Sequence, residues 1–221
     1  MRRLFFIISL VLLFNIVFAK DIAPTLSMGE RLFKKSLSYK LKDFNFNWKV
    51  SFFTVVTFSV IFGEEKRDLT FKELNTIFKT DNRVYSSKDK RDILYLANLM
   101  KNRKNYKIQT GFGPWGRSYF VAIFIDNKGK MYALENIGEL KDMLGVIDTP
   151  AEMLVWLRLK YFENPYSYLY RYNIWRLRYS LWSLGECYYS EFIKEYDSNG
   201  NFMKRKKVKS YHKKGCVDPV I

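Results

Sequence analysis

Between positions 44 and 62 every even-numbered residue is apolar except Thr54: Phe44, Phe46, Trp48, Val50, Phe52, Val56, Phe58, Val60 and Phe62. A period of two puts these side chains on one face of an extended chain, and no other feature narrows the possible folds as much. The odd positions are polar from Asn45 to Ser51, turn apolar at Phe53 and Val55, and return to Thr57 and Ser59. Lys49, the polar odd positions and the β-branched and aromatic content argue against a membrane helix here and for sheet. The run covers 19 residues, beyond the roughly 3–10 of an ordinary strand, so a bulge or bend is expected near Phe53 and Thr54.

Two helices are expected next. Thr70 and Glu73 have capping-box spacing, with Phe71, Leu74, Ile77 and Phe78 on one helical face. Ser87 opens the second, whose stripe is Ile93, Leu94, Leu96, Ala97, Leu99 and Met100. The glycines at 111, 113 and 116 match neither a dinucleotide fingerprint nor a phosphate loop, and Pro114 removes an amide such a loop would use, so a tight turn is expected. A hairpin follows, with its turn at 126–129 ending on Gly129. Thr149, Pro150 and Glu152 then give N-cap, first-turn proline and reciprocal acid of a largely buried helix carrying Met153, Trp156, Leu157 and Tyr161. Tyr166, Tyr168, Tyr170, Tyr172 and Ile174 share one parity while Trp175, Leu177, Tyr179 and Leu181 share the other, which implies a bulge or strand break near Ile174. Arg171, Arg176 and Arg178 are expected in solvent between inward-packed rings. A last hairpin turns at 197–200.

The N-terminus reads as an address. Arg2 and Arg3 precede an apolar run over 4–18, and Val17 and Ala19 supply small or modest residues at −3 and −1, the pattern of a signal peptide cleaved after Ala19. The alternative is an uncleaved signal anchor, with a run shorter than the roughly 20 residues that span a bilayer. Residues 1–19 are therefore a signal peptide, 20–43 a lead segment and 44–221 one α+β domain. Losing residues 1–19 removes two arginines and no acid, so the formal charge falls from +16 to +14. In an exported chain, periplasmic, surface-bound or secreted, that charge favours an anionic envelope glycan or lipid, with peripheral membrane contact and no nucleic acid.

The chemistry-bearing residues are few. One histidine excludes a His-rich metal site, and two cysteines cannot make a four-thiolate zinc site. No HExxH, EF-hand loop, dinucleotide fingerprint or G-x-S-x-G elbow is present, so no catalytic residue, metal or cofactor is assigned. Cys187 and Cys216 are the only thiols, and in an oxidising compartment they read as a disulfide tying the tail to the last hairpin. His212 stands in a basic run. Residues 204–214 hold seven Lys or Arg and no acid, and Lys204, Arg205, Lys206, Lys207 and Lys209 form the candidate anion-binding set, on a strand expected at a sheet edge.

Over 118–216, a Gly-turn hairpin, the segment G-V-I-D-T-P-A-E and a Cys-bounded hairpin resemble a group of exported bacterial proteins that share a G-x-I-D-T-P-x-E segment. The resemblance covers less than half of the chain and implies export but no particular activity. The expected fold is α+β: a bent antiparallel sheet packed on about three helices and closed by one disulfide. The expected function is non-catalytic binding of an anionic envelope component. The alternative is a secreted hydrolase using fold-assembled acids, with Asp148 and Glu152 as candidates.

Overall fold

A computed structural model describes residues 28–33, 38–61, 63, 67–81, 83–103, 109–113, 116–182 and 188–212. The chain divides into two units, Met1–Arg31 and Leu32–Ile221, and of the first only residues 28–31 are described. Residues 1–19, Cys187 and Cys216 lie outside the described residues, so the expected signal peptide and disulfide do too.

Among its described residues the second unit is α+β, with three helices and sheets that are almost entirely antiparallel. Its strands divide between two sheets. In chain order they are β1 (Arg31–Leu32), β2 (Ser38–Tyr39), β3 (Val50–Ile61), β4 (Asn75–Thr80), β5 (Gln109–Gly113), β6 (Gly116–Asp126), β7 (Met131–Ala133), β8 (Ser167–Arg171), β9 (Ile174–Trp182), β10 (Tyr188–Asp197) and β11 (Phe202–His212). The first sheet runs β2-β4-β3-β6-β5, with β7 also on β6; only the two-residue β2 is parallel to its neighbour. The second runs β1-β8-β9-β10-β11.

The period-two segment gives the central strand of the first sheet, but its ladder begins only at Val50. Upstream, Asn47 N–H donates to Met143 O at 2.8 Å and Asn45 N–H to Glu152 Oε1 at 2.5 Å, so the backbone at these polar odd positions bonds to helix groups while both residues stay exposed. Phe44 is buried and stacks on Phe46 at 4.7 Å. From Phe52 to Val56 both parities are buried, Thr54 included, because this stretch is covered on both faces. Thr54 is tolerated there since its hydroxyl donates to Phe78 O at 2.7 Å. Register shifts fall between Val50 and Phe52 and between Val55 and Val56, on either side of the expected bend.

Two helix expectations need correction. The Thr70–Glu73 box forms, with Thr70 N–H donating to Glu73 Oε2 at 2.6 Å, but it caps a single 3-10 turn, Phe71–Glu73. Asn75 through Thr80 then pair with β3 as β4, burying Phe78 and Thr80. Eight residues of apolar spacing could not separate a short helix from a strand, and pairing with the central strand decides it. The third helix is instead α2 (Ile137–Leu144), capped by Asn136, whose Oδ1 accepts from Glu139 N–H at 3.0 Å. The preceding helix, α1 (Ser87–Lys101), opens at Ser87 as expected and is capped by Ser86: Ser86 Oγ accepts from Asp89 N–H at 3.0 Å while Asp89 Oδ2 accepts from Ser86 N–H at 2.9 Å. Its buried stripe is Ile93, Ala97 and Met100, whereas Leu99 is exposed.

The last helix, α3 (Pro150–Trp156), extends through a π turn, Leu157–Tyr161, and is buried along most of its length. It is locked onto the second sheet by indole bonds: Trp156 Nε1 donates to Gly200 O at 2.8 Å and Trp175 Nε1 to Ile147 O at 2.7 Å. Both hairpins, turning at 126–129 and 197–200, form as expected. The parity switch is a strand break. Tyr172 and Asn173 make a two-residue turn between β8 and β9, which pairs Tyr170 with Trp175 and Tyr168 with Leu177, so even positions necessarily meet odd ones.

Candidate functional site

The basic run forms β11, at the outer edge of the second sheet, and residues 201–208 are all exposed. Its register on β10 carries two bulges. Glu191 faces Lys209 while Phe192 faces Lys207, which leaves Val208 as an extra residue; Glu195 faces Lys204 while Tyr196 faces Phe202, which leaves Met203 as another. Without the first bulge Lys209 and Lys207 would share a face. With it, Lys204, Lys206 and Lys209 lie on the face of Glu195, Ile193 and Glu191, and Arg205 and Lys207 lie on the face of Lys194 and Phe192.

The five candidate cations fall into two groups. Lys209 Nζ is 3.1 Å from Glu191 Oε2, and Lys204 Nζ is 3.1 Å from Glu195 Oε2. Both carboxylates are buried, and each has a second cation from β9: Arg178 Nη1 lies 2.6 Å from Glu191 and Arg176 Nη2 3.0 Å from Glu195. Tyr166 O–H also donates to Glu191 Oε1 at 2.7 Å. Burial works against the Glu191 charge, but the bonds from Arg178, Tyr166 and Lys209 outweigh it and hold the carboxyl below the usual glutamate range. Glu195 is held low in the same way, burial being outweighed by Lys204 and Arg176. These two acids pin both ends of β11. Between them, Arg205, Lys206 and Lys207 form no ion pair among the described residues, and Arg205 lies 3.7 Å from the centre of the Phe192 ring. That stacking holds the guanidinium on a fixed platform while leaving its donors outward.

Sequence reasoning placed the cations but missed their anchors. Glu191 and Glu195 are the only acids of β10 before its turn and lie across a legible hairpin from the basic run, a signal that could have found them. The expectation that the arginines of β9 are solvated fails at Arg178, which is 7% exposed because Glu191 supplies its counter-charge inside the sheet.

Asp148 and Glu152, the acids named for a hydrolase, meet at the start of α3. Glu152 is fully buried: its Oε1 accepts from Asn45 N–H, and its Oε2 from Asp148 N–H at 3.2 Å and Thr149 N–H at 3.1 Å. Burial pushes its carboxyl up while those three amides pull against the shift. Asp148 Oδ1 accepts from Asn45 Nδ2 at 2.9 Å. The two acids are thus joined through Asn45 in a helix cap. Two surface depressions of about 250 and 270 Å³ each carry one carboxylate, Asp92 and Asp43 respectively. Among the described residues no three His, Cys, Asp or Glu side chains gather at metal-binding distance, and no helix is long and apolar enough to cross a membrane.

The fold and its most charged surface thus define an α+β protein with a clamped cationic edge strand. No family model, curated protein or solved structure matches the chain.

Proposed function

We propose that this chain is an exported, non-catalytic binding protein whose edge strand β11 holds an anionic envelope component, a glycan or lipid headgroup. One observation carries the proposal: Arg205, Lys206 and Lys207 stand exposed without carboxylate partners among the described residues, on a strand pinned on either side of them by Glu195–Lys204 and Glu191–Lys209. A strand pre-ordered by buried acids presents its cations at fixed spacing, about 6.7 Å between alternate residues, so an anionic ligand loses little affinity to ordering. The basic, apolar and small-residue order of residues 1–19 supports export, as does the resemblance carried by the G-V-I-D-T-P-A-E segment. Charge on an edge also deters strand-to-strand aggregation, a role that needs no ligand.

Co-sedimentation with purified envelope across a salt series separates the two. Wild type should sediment at low salt and release as salt rises, since exposed contacts are screened beyond about 8 Å at physiological ionic strength. The variant Arg205→Gln, Lys206→Gln, Lys207→Gln should lose about 3 kcal/mol, roughly a hundredfold in affinity, at about 1 kcal/mol per cation. Equal sedimentation of the two proteins would reduce the basic run to edge protection and remove the binding function.

A further inference from the structure

The turn end of the second sheet carries exposed apolar side chains beside the cationic strand. Ile174 pairs with Asp197, so the turn at Tyr172 and Asn173 stands next to the turn at 197–200. Ile147 N–H donates to Ser198 O at 2.8 Å and brings Val146 to the same end. Phe202 and Met203 leave that turn into β11. These residues are unusually open for their type: Tyr172 is 80% exposed, Val146 56%, Met203 51% and Phe202 49%.

Tyr172 is the informative one. Its φ is 55° and that of Asn173 is 59°. A turn with two left-handed residues favours Asn or Gly at both, and a bulky residue there is disfavoured. The strain is not offset by burial, because the ring projects into solvent with the Arg171 guanidinium 4.7 Å from its centre. A strained, exposed aromatic that contributes nothing to the core points to a contact made outside the molecule.

We propose that this rim docks on an anionic phospholipid surface: Tyr172, Val146, Phe202 and Met203 enter the interfacial region while Arg171 and the β11 cations lie on the headgroups. The inference rests on the anion-binding reading of β11 and commits it to a bilayer. Aliphatic side chains beside cations suit the boundary between headgroups and acyl chains, where a tyrosine's apolar ring and polar hydroxyl are both satisfied. A glycan offers Val and Met no comparable environment.

The test uses protein purified after export and vesicles of phosphatidylcholine with or without phosphatidylglycerol. Wild type should bind only the phosphatidylglycerol vesicles, and the double variant Val146→Ser, Tyr172→Asn should bind them roughly tenfold or more weakly. Asn suits the left-handed position, so the double variant should melt at or above the wild-type temperature, which separates lost docking from lost folding. As a reporter, Tyr172→Trp should shift its emission to the blue on adding phosphatidylglycerol vesicles. Undiminished binding by the double variant, or no emission shift, would overturn the rim. Dextran sulfate, a soluble polyanion, distinguishes the two readings: wild type that binds it but no vesicle overturns lipid docking and leaves the proposed function standing. Wild type that binds neither overturns both.

Discussion

Replacing Gly200 by Ala tests how the last helix is joined to the second sheet. Gly200 has φ +75° and lies against the indole of α3: a Cβ built there would stand 2.1 Å from Trp156 Nε1 and 2.7 Å from Ile147 Cδ1. Trp156 is 3% exposed and Ile147 is fully buried, so neither can swing into solvent. Three effects act together. An alanine in the left-handed region costs about 1–2 kcal/mol, forcing a methyl into a packed site costs about 1–3 kcal/mol, and losing the Trp156 bond to Gly200 O costs roughly 1–3 kcal/mol. We expect a loss of roughly 3–8 kcal/mol, a large share of the roughly 5–15 kcal/mol available to a domain. Gly129 is the internal control: its φ is +80°, and a Cβ there meets nothing within 4 Å. Gly129→Ala should therefore show the backbone cost alone, about 1–2 kcal/mol. Urea titration followed by circular dichroism measures both. Equal losses from the two substitutions would refute the claim that the 197–200 turn is seated on Trp156.

Three further outcomes are open to measurement, two from the geometry and one from the sequence alone. Thr149→Ala should cost about 1 kcal/mol by removing an N-cap while leaving binding to anionic vesicles unchanged, as denaturant melts and sedimentation run together will show. Glu191→Gln should cost about 3 kcal/mol at neutral pH by breaking a buried pair. Because the Glu191 carboxyl is held below its unfolded value, its stabilisation is present above the ordinary glutamate range and lost as pH falls through the lower folded value. The gap between wild type and Glu191→Gln in urea melts should therefore close in acid, and a gap that widens would contradict the assignment. Non-reducing peptide mapping of exported protein should find Cys187 joined to Cys216; full alkylation of both thiols in native material would refute the bridge.

What could be read from the sequence was whatever local chemistry decides. The Thr149, Pro150 and Glu152 cap and the turns at 126–129 and 197–200 each satisfy or permit backbone within a few residues, and each formed where expected. The strand over 75–80 was not legible, because its partner β3 lies some twenty residues away and its apolar spacing also fits a helical turn. Helix α2 was legible but overlooked: Asn136 and Glu139 stand at capping distance, and Leu140, Met143 and Leu144 fill one buried face. At the candidate site the cations of β11 could be named in advance, whereas their division into clamped and unclaimed groups could not. That division depends on the bulge at Val208, which moves Lys209 onto the face of Glu191.

The most direct test of the account contrasts the two groups of cations on β11. Two variants, Arg205→Gln, Lys206→Gln, Lys207→Gln and Lys204→Gln, Lys209→Gln, are compared for binding to phosphatidylglycerol vesicles and for melting temperature. The account predicts that the first loses most of its affinity and keeps its melting temperature. The second should keep most of its affinity and melt lower, because Glu195 and Glu191 each lose a counter-charge. If both variants weaken binding in proportion to the charge removed, the clamped strand is no more than a general positive surface, and the central claim is wrong.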